Sequence, residues 1–492
     1  KSLSHSSLTV TPQQVKRWLQ DINTKKATNS RDFPSWVTRM CLDDLYMPLC
    51  HIINNCLSQG IYPDIWKSAQ VVPIEKCKSA SSESDFRPIS LLWHLGKILE
   101  KAIMFFYVDT ILPTIDQNQF AYQRGKSTVD AIICAIDKLT RSLDESHTKY
   151  VTSVFLDMSK AFDKMDRGKL MIMLAERGVC ANLLGIIHSF LDNRHQSVRI
   201  DKACSDNQHV GNGTPQGTLL GPMFWLLYVD TLQLPYDMIK YADDLTLIAH
   251  PTKHLENPQS LQPAIDDIAK WCSDHNMVAN AKKSATVHFT NKYARSDTST
   301  APPVTLNGEH IPTQRQTKFL GLTIDNNLTF SQHINMVGEK IRPLTYVLTN
   351  LKRSGLPKDL LVRFYTGCIR PKMTYGCPAW YPMLSSTSKE QLLSLEKLAL
   401  KIISPALGDY QDRISALELT PLDDYIDQQC RKYIDKIKWP DHCLHKLLPK
   451  CQTESRRSAR LKPRAVTTCR TELRRNTLLL SYANQDIISY KE

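Results

Sequence analysis

The 492-residue chain has no run of 18 apolar residues, which excludes a transmembrane helix. No basic stretch leads into an apolar core and a small-residue cleavage site, so no secretory signal is visible. The first residue is Lys1, not Met, and the expectation is an excised piece of a longer chain. None of the 14 cysteines forms a CxxC pair. They sit singly in apolar segments (Cys134, Cys272, Cys368), which fits a reduced compartment better than a disulfide framework. There is no internal repeat and no low-complexity block. Negative charge is in the minority: 62 Lys and Arg face 49 Asp and Glu, a formal net charge of +13. A basic balance of that size suits a polyanionic partner such as nucleic acid.

With 42% hydrophobic and 23% charged residues this is a globular chain, too long for one compact core. Apolar stripes at helical spacing run through Val15–Ile22, Leu45–Cys56, Leu92–Phe106 and Ile132–Leu143. WKSAQVVPIEK (66–76) reads as a short strand. At 150 the period changes, and VTSVFL is expected as a buried strand. Two short strands flank Asp243–Asp244, another covers 285–289, and Asn307-Gly308 signals a hairpin. After about 328 only helices are expected. Between Lys450 and Arg475 nine basic residues stand against Glu454 and Glu472; they read as phosphate contacts or as a solvated tail.

Three acidic or glycine-rich motifs carry chemistry. KYADDLTLIAH sets Asp243 and Asp244 side by side between strand formers, a conflict that a divalent cation would remove and a polar turn would also tolerate. VTSVFLDMSKAFDKM ends a core strand on Asp157, which is either a helix cap or a partner for the acidic pair 86 residues further on. GNGTPQGTLLGPMFWLLYVD opens an apolar helix with a tight loop that can approach an anion closely.

The order of these elements resembles the palm of reverse transcriptases, specifically those of non-LTR (LINE-type) retrotransposons. FLDMSKAFD, TPQGTLLGP and YADD stand for the first catalytic motif, the nucleotide-positioning motif and the catalytic hairpin. NMVANAKKSATVHF and TKFLGLTID resemble the lysine motif and the primer-grip hairpin. WKSAQVVPIEK and DFRPISLL resemble fingers motifs, NQFAYQRGKSTVDAI resembles a lineage-specific insertion, and RFYTGCIRPKMTYGCPAW with LEKLALKII resembles the thumb. The implied fold is α+β, a right-hand polymerase with fingers, an antiparallel palm sheet and a helical thumb. The expected division is an N-terminal helical extension (1–65), fingers and palm (66–327), thumb (328–405) and a C-terminal helical region with basic tail (406–492).

On residues, the resemblance implies that Asp157, Asp243 and Asp244 hold two Mg²⁺ ions, with Mn²⁺ as an alternative, and that Lys283 gives a proton to pyrophosphate. Lys76 and Arg87 would hold the triphosphate of a dNTP, Gln216 and Gly217 would border it, and Phe162 would block a ribose 2′-OH. Arg124 would touch template, and Phe319, Leu320 and Gly321 would lie beneath the primer end. A core Phe at 162, surface lysines at 76 and 283, and an ion-paired Arg124 are the plain structural readings. The implied activity is RNA-directed DNA synthesis from a 3′-OH primer in retrotransposition. The implied partners are an RNA template, a DNA primer or target, dNTPs and no membrane, within a longer polyprotein that carries an endonuclease. The implied setting is a nuclear and cytoplasmic ribonucleoprotein. A catalytically inactive nucleic-acid-binding remnant is the alternative. KKATNSRDFPSWV lacks the Gly-Pro pair common near the N-terminus of such chains. Cys430, His442, Cys443, His445 and Cys451 fit no zinc spacing.

Overall fold

The computed structural model describes residues 8–76, 81–145, 148, 150–158, 161–249, 261–290, 301–449 and 469–482. Two compact units interleave along the chain. One comprises Lys1–Tyr122, Met158–Gln233 and Asp267–Ala279; the other comprises Gln123–Asp157, Leu234–Asp266 and Asn280–Glu492.

In the first unit the helix Pro12–Gln20 starts where Thr11 accepts from the Gln14 amide and Gln14 answers on the Thr11 amide. The Leu42–Gln59 helix stops at Gly60, whose φ of 68° takes the left-handed conformation that glycine adopts freely. A mixed sheet is built on Ser68–Glu75, which pairs antiparallel with Phe86–Leu91 and parallel with Arg194–Ile200; Gln208–Val210 adds to the latter. The strands Phe86–Leu91 and Arg194–Ile200 carry no clear period-2 signal. Pro88 interrupts one, and the other reads RHQSVRI, with polar groups on both faces. KKATNSRDFPSWV, the segment without the Gly-Pro pair, is bound into this unit. Ser30 N–H donates to Gln70 Oε1 (2.9 Å), and the His94 amide donates to Asp32 Oδ2 (2.9 Å).

The second unit holds a four-stranded antiparallel sheet in the order Asp237–Tyr241, Asp244–Ile248, Tyr150–Asp157, Ala285–Thr290. Val154, Leu156, Leu247, Val287 and Phe289 are buried here, as a β-branched central strand requires. The Thr305–Leu306 and Glu309–His310 strands close over Asn307 and Gly308, both at positive φ, and so meet the hairpin expectation. Beyond Asp325 the described residues contain helices and no strand, the longest being Ser331–Arg353. The Ser386–Ile403 helix packs on it, and Arg370 pairs with the buried Glu396 at 2.9 Å. No helix among the described residues is long and apolar enough to cross a membrane.

The C-terminal basic segment divides in two. Lys450, Arg456, Arg457, Arg460, Lys462 and Arg464 lie outside the described residues. Arg474, counted with them as a phosphate contact, is corrected: it is 5% exposed and bonded to Asp137 at 3.0 Å. Asp144 accepts from the Thr471 amide (2.6 Å) and hydroxyl (2.8 Å), and Leu478, Leu479 and Leu480 are buried. A guanidinium desolvated beside a carboxylate serves the fold and is not available to a phosphate.

Candidate active site

The second unit gathers the acidic residues. Asp157 ends the central strand and stands directly opposite Asp244 in register. Asp243 lies one residue earlier, in the two-residue turn Ala242–Asp243 that Tyr241 and Asp244 close, with Ala242 at φ 55°. Directly opposed residues of an antiparallel pair share a face, with Cβ atoms about 5 Å apart, and like charges there are destabilising. Burial raises the Asp243 carboxyl above its ordinary value, and the Asp157 charge adds to the rise. Asp244 is exposed as a residue, yet its carboxyl is pushed up to about 6, first by desolvation and then by the charges of Asp243 and Asp157. Three oxygen donors that repel one another at one end of a sheet form a set suited to a hard divalent cation.

The backbone of Asp157 is clamped. Its N–H donates to Ser284 Oγ at 3.2 Å, Ser284 Oγ donates to Asn280 O at 2.7 Å, and Asn280 N–H donates back to Asp157 O at 2.9 Å. Lys283, exposed, donates its amide to Asn280 Oδ1 at 3.1 Å, so the same turn carries the lysine. Sequence reasoning singled out Lys283 and missed the buried Ser284 beside it. The only signal was a serine at the start of a strand, which is common.

Phe155, two residues before Asp157 and on the same face, packs against Phe319 with ring centroids 5.5 Å apart. Leu320 and Gly321, at φ 47° and 87°, form the turn between Gln316–Phe319 and Leu322–Asp325. A Cβ on Gly321 would lie 3.0 Å from the Tyr375 ring, and the Tyr375 hydroxyl donates to Leu320 O at 2.9 Å. The hairpin therefore sits on the acidic face of the sheet. Arg124 is exposed and has no ion pair among the described residues.

The first unit holds the residues expected to meet a nucleotide. Arg87 stands opposite Ile74, and Lys76 follows Glu75 with its amide bonded to Asp85 O at 2.8 Å. That register puts Lys76 and Arg87, both exposed, on one face of the hairpin as diagonal neighbours. The loop before Leu220–Asp230 is held from three sides. Ser90 N–H donates to Gln216 O (2.9 Å), Gln216 Nε2 donates to Asp163 Oδ1 (3.2 Å), and Leu219 N–H donates to the buried Glu100 Oε2 (2.6 Å). Gly213, at φ 66°, passes so close to the chain that a Cβ would fall 2.5 Å from the carbonyl oxygens of Phe162 and Asp163. Gly217, at φ 111°, would meet Ser90 O at 3.0 Å. Phe162 is half-buried against Trp225, ring centroids 5.6 Å apart.

Among the described residues, the metal-ligating side chains whose donor atoms converge closely lie elsewhere. Asp130, His442 and Cys443 place a carboxylate oxygen, a ring nitrogen and a sulfur within 4.8 Å of one another. Both Asp130 oxygens are already engaged, by the Ser127 amide (2.8 Å) and the Tyr433 hydroxyl (2.7 Å), and His442 Nδ1 accepts from the Leu444 amide (3.2 Å). Asp130 also completes the capping box with Ser127 at the start of the Thr128–Asp144 helix, a structural use of its carboxylate.

Residues 74–324 match the family described as reverse transcriptase (RNA-dependent DNA polymerase). The chain is similar to the RNA-directed DNA polymerase from mobile element jockey of Drosophila melanogaster, 26% identical over 445 residues, covering 87% of this chain and 48% of the relative. It is also similar to the probable RNA-directed DNA polymerase from transposon BS of Drosophila melanogaster, 27% identical, covering 80% of this chain and 44% of the relative. A third relative is the putative 115 kDa protein in type-1 retrotransposable element R1DM of Drosophila melanogaster, 26% identical, covering 72% and 34%. The chain thus spans about half the length of the first of these relatives and less of the others.

Proposed function

We infer the activity from the premise that this chain belongs to the reverse transcriptase (RNA-dependent DNA polymerase) family. The chain is the polymerase segment of a non-LTR retrotransposon protein and extends a 3′-OH primer on an RNA template with dNTPs. The observation that carries this reading is the opposition of Asp157 and Asp244 across adjacent strands, with Asp243 in the turn beside them.

Asp157, Asp243 and Asp244 would hold two Mg²⁺ ions. The raised carboxyl pKa values of Asp243 and Asp244 support that role, because such groups gain most from a neighbouring cation. When bound, the ions supply neutralisation of the transferring phosphate and a more acidic primer hydroxyl. Lys76 and Arg87 bind the triphosphate as fixed cations. Gln216 and Gly217 line the base and sugar, and the Phe162 ring excludes a 2′-OH. Lys283 delivers a proton to the leaving pyrophosphate. Leu320 and Gly321 support the primer end, and Arg124 holds template backbone. RNA, DNA primer and dNTPs are the partners. The segment works beside an endonuclease in a longer polyprotein, in a ribonucleoprotein that reaches the nucleus.

Primer extension with purified protein, an RNA template, a DNA primer, dNTPs and Mg²⁺ tests this. Extension is expected for the wild type. Asp243→Asn should lower turnover at least about a hundredfold while template affinity stays within about twofold. No extension by the wild type in either Mg²⁺ or Mn²⁺ would sink the reading and favour the binding remnant.

A further inference from the structure

Among the described residues, the aromatic ring that meets Phe162 is that of Trp225. Trp225, on the Leu220–Asp230 helix, is 0% exposed and meets the Phe162 ring at 5.6 Å with an interplanar angle of 43°. Behind it, Tyr228 stacks on Trp225 at 6.4 Å and 23°. Tyr228 is itself fixed: its hydroxyl donates to His275 O at 2.8 Å and accepts from the Asp166 amide at 3.3 Å. Trp271 and His275 pack edge-on to it, at 6.3 Å and 5.5 Å. A row of rings thus runs from a rigid interior to Phe162.

Trp225 also breaks a rule. Its Nε1 is a buried donor with no hydrogen-bond partner. A buried N–H stripped of water and left unpaired costs stability, and a Phe or Leu at this position would avoid that cost. The indole contributes size at this point, and its far side is where Phe162 rests. The main chain of Phe162 is anchored separately, its carbonyl accepting from the Thr214 amide at 3.0 Å. That anchor fixes where the residue begins but leaves the ring angle to whatever packs behind it.

We propose that Trp225 is a positioning residue for sugar discrimination: it holds the Phe162 ring forward, so that incoming nucleotides carrying a 2′-hydroxyl are rejected. This rests on the reading of Phe162 as the residue that meets the nucleotide sugar. With a smaller side chain at 225 the Phe162 ring can retreat into the vacated space, and a ribonucleotide then fits.

The test is a double-mutant cycle on Phe162→Val and Trp225→Leu, with Trp225→Phe as a milder variant. Rates are read with dNTPs and with rNTPs on an RNA template and DNA primer, and melting temperature is measured alongside. Trp225→Leu should raise relative ribonucleotide use about tenfold, and Phe162→Val should raise it further. The double variant should be no more permissive than Phe162→Val alone, because Trp225 acts only through that ring. Trp225→Phe should raise ribonucleotide use while melting no lower than wild type, since it removes the orphaned donor. The inference is overturned if Phe162→Val shifts the ratio and neither Trp225 variant does, or if the Trp225 variants lower both rates in parallel. If Phe162→Val leaves the ratio unchanged, the sugar-contact reading itself falls.

Discussion

Asp157 and Asp244 oppose each other across adjacent antiparallel strands, two carboxylates where a sheet ordinarily sets complementary side chains. The repulsion has a direction in pH. Asp244 titrates near 6, above its ordinary 3.8, so the fold favours its protonated form. Its contribution to stability is full below 3.8 and is lost as pH rises through about 6. In metal-free buffer Asp244→Asn should therefore flatten the decline in stability between these two values. Its partial exposure screens the effect, so the gain in melting temperature at pH 7.5 should be modest, about 1–2 °C. Thermal melts of both proteins at a series of pH values check this, and parallel curves would refute it.

Ser284 is the second test. Ser284→Ala leaves the Asp157 amide without its present partner, while the Asn280 carbonyl keeps the Ser284 amide at 3.0 Å, a cost of about 1–3 kcal/mol in a buried site. Turnover should fall roughly tenfold with little change in the apparent KM for dNTP, because the loss acts on carboxylate placement. Ser284→Thr should recover most of it. A rise in KM at constant turnover would assign Ser284 to nucleotide binding instead.

Several of these features were legible in the sequence. The Tyr150–Asp157 strand announced itself by its β-branched run, and the Leu42–Gln59 helix by its stripe and terminal Gly60. The acidic turn was legible because two adjacent aspartates between apolar strand residues conflict with folding. Ser284 and Trp225 were not, because each depends on a partner distant in the chain: Ser284 on Asp157, and Trp225 on Phe162. Arg474 was misread for a related reason. Its charge lies in a basic run, but Asp137, which claims it, is more than three hundred residues away in the chain.

That burial changes how the basic tail must be tested. Truncation near Lys450 would strip Arg474 from Asp137 and remove Leu478–Leu480 from the core. Neutralising Arg456, Arg457, Arg460, Lys462 and Arg464 to Gln leaves those interactions in place. If these side chains meet template phosphates, the plot of log affinity against log salt should flatten. On single-stranded RNA the slope should change by about 0.7 for each phosphate that is no longer neutralised. Polymerisation at low salt on a preformed primer–template should persist. An unchanged slope would make the segment a bystander.

The opposed carboxylates are tested most directly by the dependence of melting temperature on Mg²⁺ at pH 7.5, for the wild type, Asp157→Asn and Asp244→Asn, without nucleic acid. A cation that binds the native site and not the unfolded chain stabilises by mass action. The wild type should therefore melt at progressively higher temperature as Mg²⁺ rises from micromolar to tens of millimolar, and each variant should respond far less. Equal responses in all three proteins, or none in the wild type, would contradict a metal site built on Asp157 and Asp244.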